Sequence, residues 1–352
     1  MPEEHTTPER RILVNDVEWP PEMMVDVLEV VVGRYVQGGD YFDITLNNLD
    51  SEDQTLKWTD AGELAPGNKL EIRLGYLGEL ETLMVGEITA LRARFPADEP
   101  AVLGVQGFDR LHRLRRGRRT RVFNEMKDSQ IAEAIAGEMG LTPDVQDSTV
   151  VHEYVVQNNL SDVDFLLERS RRIQYEVLVS DQTLTFRPAA NALGQSVTVE
   201  YMIDLKSFTA RLSTIEQTSQ TKVRGWNPAS KEAILGVAAA GDETGRMDGA
   251  ATAAELVDSA FGQSVSWITD LPVYSQAEAD QIAKARFNDR ALDLIAAEAE
   301  VVGNPALAAG STIELRGVGD RYSGVYYVTR AEHRLGPQVG YVTRLSLARN
   351  AS

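Results

Sequence analysis

Apolar and polar side chains alternate over most of the chain, and the period changes only in a few places. From residue 11 to about 109 the segments RILVNDV, VDVLEVVVG, YFDITLNN, KLEIRLGY, ETLMVGEITALRARF and AVLGVQGF are short β-branched runs broken by Gly, Pro and Asn. Runs of this kind predict a strand meander that closes into a sandwich or barrel. The period then turns helical: KDSQIAEAIAGEMGL places Ile131, Ile135 and Met139 on one face, with Asp128 or Ser129 as N-cap and Gly140 as the stop before Pro143. A second helix opens at LSDVDFLLERS, where Ser161 and Asp164 have capping-box spacing and Leu160 and Phe165 have hydrophobic-staple spacing. YEVLV and TLTFRP, joined by the polar turn SDQ, predict a hairpin that completes a small α+β unit.

Strand patterns return in VTVEY, KSFTARL and TKVRGW. Residues 227–265 are rich in Ala, Gly and polar side chains with weak periodicity, and predict a long flexible loop or insertion. Ser275 and Glu278 then open a helix with Ile282, Arg286, Phe287 and Arg290 at helical spacing. STIELRG, GVYYVTRAEHRL and GYVTRLSLAR close the chain as strands, with Gly336-Pro337 as a turn between the last two.

The two ends of this pattern echo each other. APGNKLEIRLGY (65–76) aligns with AAGSTIELRGVG (308–319), setting Gly67, Glu71 and Arg73 against Gly310, Glu314 and Arg316. GEITALRARF from Gly86 then follows GVYYVTRAEHRL from Gly324. A turn glycine feeding a half-buried strand, and then a long strand begun by glycine, is the shared physical content. The fold class expected is α+β, mainly β: two related, tube-like β-barrel domains with an inserted small α+β domain. The boundaries expected are 1–120 for the first barrel, 121–195 for the insertion and 196–352 for the second barrel, which carries the flexible 227–265 segment.

Composition narrows the function. A chain of 352 residues with 43% hydrophobic content can bury a sizeable core. It has no apolar run of the roughly 20 residues a membrane helix needs, and MPEEHTTPERR is too polar for a signal peptide, so folding in the cytoplasm without membrane insertion is expected. With no cysteine there is no disulfide framework, thiolate metal site or cysteine nucleophile. The net charge of −18 repels nucleic acid at long range, yet FDRLHRLRRGRRTRVF (108–123) packs seven arginines. Three readings stand for Arg115, Arg116, Arg118 and Arg119: pairing with acids of the same or a neighbouring subunit, a solvated basic face, or nucleic-acid contact. The acidity of the chain favours the first, a subunit or partner interface.

Candidate chemistry is sparse. His5, His112, His152 and His333 show no HExxH-like spacing. GQSVS (262–266) lacks the closing glycine of a nucleophile elbow, and GVGDRYSG (317–324) has the wrong spacing for a dinucleotide fingerprint. NNLDSEDQT presents Asn48, Asp50 and Glu52 at alternate positions, but without the glycine and final glutamate of a calcium loop. No catalytic, cofactor or metal residue is therefore expected. Two rival readings remain, a cell-wall hydrolase and a sugar-binding adhesin.

The order of segments resembles the late-control protein D family of contractile phage tails, baseplate hubs similar also to the N-terminal part of VgrG spikes of type VI secretion. PGNKLEIRLGY, VGEI, VQGFDRLHRLRRGRRTRVF, SQIAEAIAGEMGL, VVQNNLSDVDFLLERSRRIQYEVLVSDQTLTFRP, VRGWNP and the segment from GNPALAAGSTIELRG to the end carry the resemblance, in family order over nearly the whole chain. It implies a structural homotrimer, not an enzyme, in which two barrels per chain form a pseudo-sixfold ring that adapts a sixfold inner tube to a threefold spike. VgrG-type chains continue into further domains after the second barrel, whereas this sequence stops at Ser352, so the spike is expected to be a separate protein. The partners implied are the chain itself, an inner tube protein, the spike and other baseplate proteins, with assembly in the bacterial cytoplasm. Phage, bacteriocin and injection system are equally compatible with the sequence.

Overall fold

The computed structural model describes residues 7–189 and 196–352, so His5, the polar N-terminus and residues 190–195 lie outside the described residues. The first unit contains β1 (Pro8–Val14), β2 (Val17–Glu18), α1 (Pro21–Val25), β3 (Val27–Tyr35), β4 (Tyr41–Asn47), β5 (Leu49–Asp50), β6 (Thr55–Leu56), β7 (Lys69–Tyr76), β8 (Glu79–Arg94) and β9 (Val102–Phe108). Alternation decides the faces. In β7 the side chains of Leu70, Ile72 and Leu74 are fully buried while those of Lys69, Glu71 and Arg73 point outward. Each such Leu or Ile contributes about 1.5–3 kcal/mol.

The inserted unit follows, with α2 (Leu111–Leu114), β10 (Arg119–Lys127), α3 (Asp128–Glu138), β11 (Thr142–Val145), β12 (Val151–Leu160), α4 (Asp162–Arg172), β13 (Tyr175–Ser180) and β14 (Thr183–Pro188). Ile131, Ile135, Val163, Phe165, Leu166 and Phe186 form its separate core. The expected start of α3 shifts by one residue: Lys127 is the N-cap, its backbone N–H bonded to Gln130 Oε1, and Asp128 is drawn inward to an arginine. Gly140, at φ +69°, terminates that helix as expected. Ser161 caps α4 by accepting from Asp164 N at 3.2 Å.

The last unit comprises β15 (Ser196–Glu200), β16 (Leu205–Leu212), β17 (Gln220–Asn227), β18 (Glu232–Ala239), α5 (Ala253–Phe261), β19 (Val265–Ile268), α6 (Gln276–Leu292), β20 (Ile295–Val302), β21 (Thr312–Arg316), β22 (Gly324–Gly336) and β23 (Gly340–Arg349). Residues 227–265 are therefore not a long loop. They supply β18, α5 and the start of β19, and the sheet β18-β17-β19 packs on α6 around Val223, Ile234, Ala238, Ile282 and Phe287. The period is present but two of its three inward positions are small: Ile234, Gly236 and Ala238 face α6, and a Cβ on Gly236 would lie 2.2 Å from the Ala279 carbonyl oxygen.

A 13-stranded sheet joins the outer units in the order β16-β20-β23-β22-β3-β4-β9-β8-β7-β1-β2, with β15 on β21 and β21 on β22. Strand pairing among the described residues closes neither unit on itself; β22 instead pairs antiparallel with β3, from Arg330↔Tyr35 to Leu335↔Val30, and the two units share one continuous sheet.

Candidate assembly interface

The echo seen in the sequence is a duplication of strand pairing. The order β3-β4-β9-β8-β7-β1 repeats as β16-β20-β23-β22-β21-β15, although β1 is antiparallel to β7 and β15 is parallel to β21. Irregularities recur as well. β8 has a bulge against β9 between Ile88 and Ala90, and β22 has one against β23 between Val328 and Arg330. β3 bulges between Val27 and Glu29, and β16 between Leu205 and Ser207. A bulge leaves one residue unpaired and bends the strand, so two matching bulges per unit are positional markers that alternation alone would not supply.

The predicted strand residues sit at equivalent places. Gly67 and Gly310 both have positive φ, +96° and +80°, and their N–H groups bond to the Ile88 and Val328 carbonyls at 2.8 and 2.9 Å. A left-handed residue at the turn lets the strand enter the sheet, which is why glycine stands at both. Arg73 Nε reaches Glu71 at 2.7 Å and Arg316 Nη2 reaches Glu314 at 2.8 Å, each on the exposed face. Hydrogen bonding to the arginine holds both carboxyls below the usual range. The pairing of Gly86 with Gly324 is corrected: Gly86 lies opposite Leu70, whereas Gly324 lies opposite Leu315, and it is Tyr326 that stands opposite Ile313 as Gly86 does opposite Leu70. The two glycines serve different ends. Gly324 needs φ +130°, while Gly86 leaves room for the Phe108 carbonyl, 2.7 Å from where a Cβ would stand.

The arginine run leaves β9, forms α2 and enters β10, at the junction of first and inserted units. Its members divide. Arg113 grips the buried Glu87 with bonds of 2.8 and 2.6 Å, Arg110 lies 3.4 Å from the same carboxylate, and His112 Nε2 is 2.9 Å away. Burial pushes the Glu87 carboxyl up, but Arg113 and His112 outweigh it and leave it below the usual range. Arg121 bonds Glu138 at 2.7 Å and Asp162 at 2.9 Å, and Arg119 bonds Glu138 at 2.6 Å. Arg119, expected at an interface, is thus already paired within its own chain. Arg118 donates to the Asn159 carbonyl at 3.3 Å, and Arg115 and Arg116 are exposed and form no ion pair among the described residues. Arg116 lines a shallow cleft with Gly67, Thr89 and Met139, which puts the free arginines beside the duplicated turn and bulge.

Buried polar groups elsewhere are structural in kind. Asp128 takes two bonds from Arg169, at 2.5 and 3.1 Å, and lies 3.2 Å from His152 Nε2. Arg172 reaches Glu278 at 3.1 Å, so the network ties α4 to α6. Glu278 also accepts from Tyr274 N, making it a helix-start group rather than a free acid. His333 is fully buried between Tyr341, Thr343 and the Leu307 carbonyl, and burial lowers its pKa to about 4. Among the described residues no group of three or more His, Asp or Glu side chains is arranged to hold a metal ion, and no helix is long and apolar enough to cross a membrane. Asn48 is a loop anchor, bonded to Thr59 and Trp58, and Asp50 caps the turn at Glu52.

Solved structures share this fold. The prophage MuSo2 43 kDa tail protein of Shewanella oneidensis is similar over 97% of this chain and 98% of its own, at 12% identity and a TM-score of 0.71. A tail protein of Neisseria meningitidis MC58 is similar over 97% of both chains, at 12% identity and a TM-score of 0.69. An E. coli component of the type VI secretion system is similar over 97% of this chain and 77% of its own, at 12% identity and a TM-score of 0.64. The fold is therefore that of phage tail proteins and of a type VI secretion component. No curated protein matches the sequence. A family model matches residues 4–336, and on that match the chain belongs to the Alg8 N-terminal domain family.

Proposed function

We propose that the chain is a structural baseplate hub of a contractile tail or contractile injection system, a trimeric adapter between a sixfold inner tube and a threefold spike. The observation that carries this reading is the in-register duplication of the sheet. A threefold assembly can meet a sixfold one with matched contacts only if each chain offers two near-equivalent surfaces. The shared order β3-β4-β9-β8-β7 and β16-β20-β23-β22-β21, with both bulges repeated, supplies such a pair. The fold shared with tail proteins supports the same reading. The role is scaffolding and not catalysis: the buried acids and histidines are held by ion pairs and carbonyls, as a rigid frame requires. Its partners are two further copies, the tube protein, the spike and other baseplate proteins, and assembly takes place in the bacterial cytoplasm before incorporation into the particle.

Light scattering on the purified chain, alone and with its spike and tube proteins, tests this. Three copies per complex are expected. A monomer or dimer that persists with both partners present overturns it.

A further inference from the structure

The inserted unit leaves one strand edge free. Among the described residues β12 pairs only with β10, so its other edge carries backbone N–H and C=O groups with no strand beside them. That edge opens into a cleft of about 580 Å³, lined by the unbroken run Val151–Val156. Side chains alternate across a strand, so consecutive residues lining one cavity mark the strand's edge and not one of its faces. Phe165, Glu168, Arg169 and Arg172, at helical spacing along one face of α4, line the same cleft. Pro228 and Tyr274 of the last unit form its far wall. Strand edge, helix face and far wall together frame a slot for one more strand.

We propose that this slot takes an extended, basic segment of a partner protein, which adds to β12 as a third strand. Charge selects the occupant. Arg169 is held by Asp128 and Arg172 by Glu278, whereas Glu153 and Glu168 are exposed and form no ion pair among the described residues. The slot thus offers two free carboxylates, which attract lysine or arginine and repel an acidic segment. A second copy of the chain is the poorer fit, since its net charge is −18. Apolar contact is also at hand: Tyr154 and Tyr274 are each 60% exposed and Val151 is 54% exposed, surface that an added strand would cover. Arg172 keeps its buried Nε–H without a partner, a donor for a carbonyl of the incoming backbone. At about 3.3 Å per residue the lining stretch of β12 spans about 20 Å, so the segment engaged is about six residues long. Backbone bonds to the edge supply affinity, and the acids and tyrosines supply selectivity. The proposal does not depend on the hub reading.

The probe is a fluorescein-labelled, capped hexapeptide that alternates valine and lysine, titrated into the full chain and read by anisotropy. Saturable binding is expected, together with slowed amide exchange within Val151–Val156. Glu153→Lys with Glu168→Lys should bind about tenfold more weakly or worse while melting as the wild type does. Glu52→Lys with Glu63→Lys makes the same charge change on exposed acids of the first unit and should bind like the wild type, which separates the slot from the general acidity of the chain. Two further peptides, methylated on the valine or on the lysine backbone nitrogens, each lack half of the donors. At least one of them should lose about tenfold or more, because one set faces β12. Absence of saturable binding, equal binding of a valine–glutamate peptide, or binding that survives both methylations overturns the proposal. So does association of the chain with itself that Glu153→Lys with Glu168→Lys abolishes, which would give the slot to a second copy.

Discussion

Thr89 and Thr329 occupy the same bulge in the two copies of one sheet, and each hydroxyl donates to a carbonyl of the next strand, Thr89 to Gln106 at 3.5 Å and Thr329 to Ser346 at 3.0 Å. The acids beside them repeat as well: Gln106 donates to Asp43 at 2.6 Å and Ser346 to Glu298 at 3.1 Å. A bulge is a local break in the ladder, and a threonine hydroxyl that accepts the bend is a cheap way to hold it. The shorter bond should matter more. Thr329→Val is expected to cost about 1 kcal/mol and Thr89→Val less than half of that. Urea unfolding of both variants measures the difference; equal losses would show that the two bulges are held by something other than these hydroxyls.

The division of the arginine run leads to opposite outcomes for its members. Arg115→Glu with Arg116→Glu should leave the stability of the isolated chain within about 0.5 kcal/mol, since neither residue holds a carboxylate. The same variant should impair assembly, because acids would then stand on an acidic chain beside the duplicated turn. Arg113→Ala, by contrast, strips the buried Glu87 of its two-bond partner and should cost about 2 kcal/mol or more without any partner present. Thermal melts and co-sedimentation with tube and spike proteins separate these. A charge-reversal variant that assembles normally would assign Arg115 and Arg116 to a solvated face.

Asp128 and Arg169 form a buried ion pair between α3 and α4, and removal of Arg169 leaves the buried Asp128 with His152 beside it but without its two-bond partner. Arg169→Met is expected to destabilise by about 3–5 kcal/mol. Asp128→Asn with Arg169→Met should cost less than the two single changes added, since no lone charge remains. A double-mutant cycle in urea gives the coupling directly, and additive losses would remove the pair from the list of what holds the inserted unit.

Much of this arrangement is legible in the sequence, and the gaps have physical causes. The strands of the first unit, the hairpin Tyr175–Pro188 and the caps at Ser161 and Ser275 follow from period, turn residues and spacing. The echo around Gly67 and Gly310 is readable in the sequence because a left-handed turn admits few residues other than glycine. The alignment of Gly86 with Gly324 failed because glycine also stands where a neighbouring carbonyl comes close, and sequence does not distinguish the two uses. The order in 227–265 was hidden by size: Gly236 and Ala238 fill a narrow gap against α6, so the buried face of β18 carries little apolar volume. Even there Thr252 and Glu255 bear the capping-box spacing that starts α5, a signal the sequence does carry. The joint of β22 with β3 had no signal at all, because alternation specifies a strand's faces and not the neighbour at its edge.

His333 gives the last prediction, a pH dependence of stability. Its ring nitrogens are occupied by Tyr341, Thr343 and the Leu307 carbonyl, and with the side chain fully buried its pKa falls to about 4. In the unfolded chain the imidazole returns to about 6.5. Between those values the unfolded chain binds a proton that the folded chain refuses, so stability contributed by neutral His333 is present above about pH 6.5 and is lost as pH falls toward 4. The loss at pH 4 amounts to about 3 kcal/mol. Asp289 works against it: burial raises its carboxyl to about 6, so the folded chain takes up that proton first and gains stability over an overlapping range. The wild-type curve mixes these two with other shifted carboxyls, among them Asp109, which burial also raises, and variants part them. His333→Gln should lower stability at pH 7 through its lost contacts but flatten the acid-side fall, while Asp289→Asn should raise stability at pH 7 and steepen that fall. Urea unfolding at half-unit steps from pH 4 to 7.5 reads both slopes. If His333→Gln keeps the wild-type slope, the proton refused on folding belongs to another group.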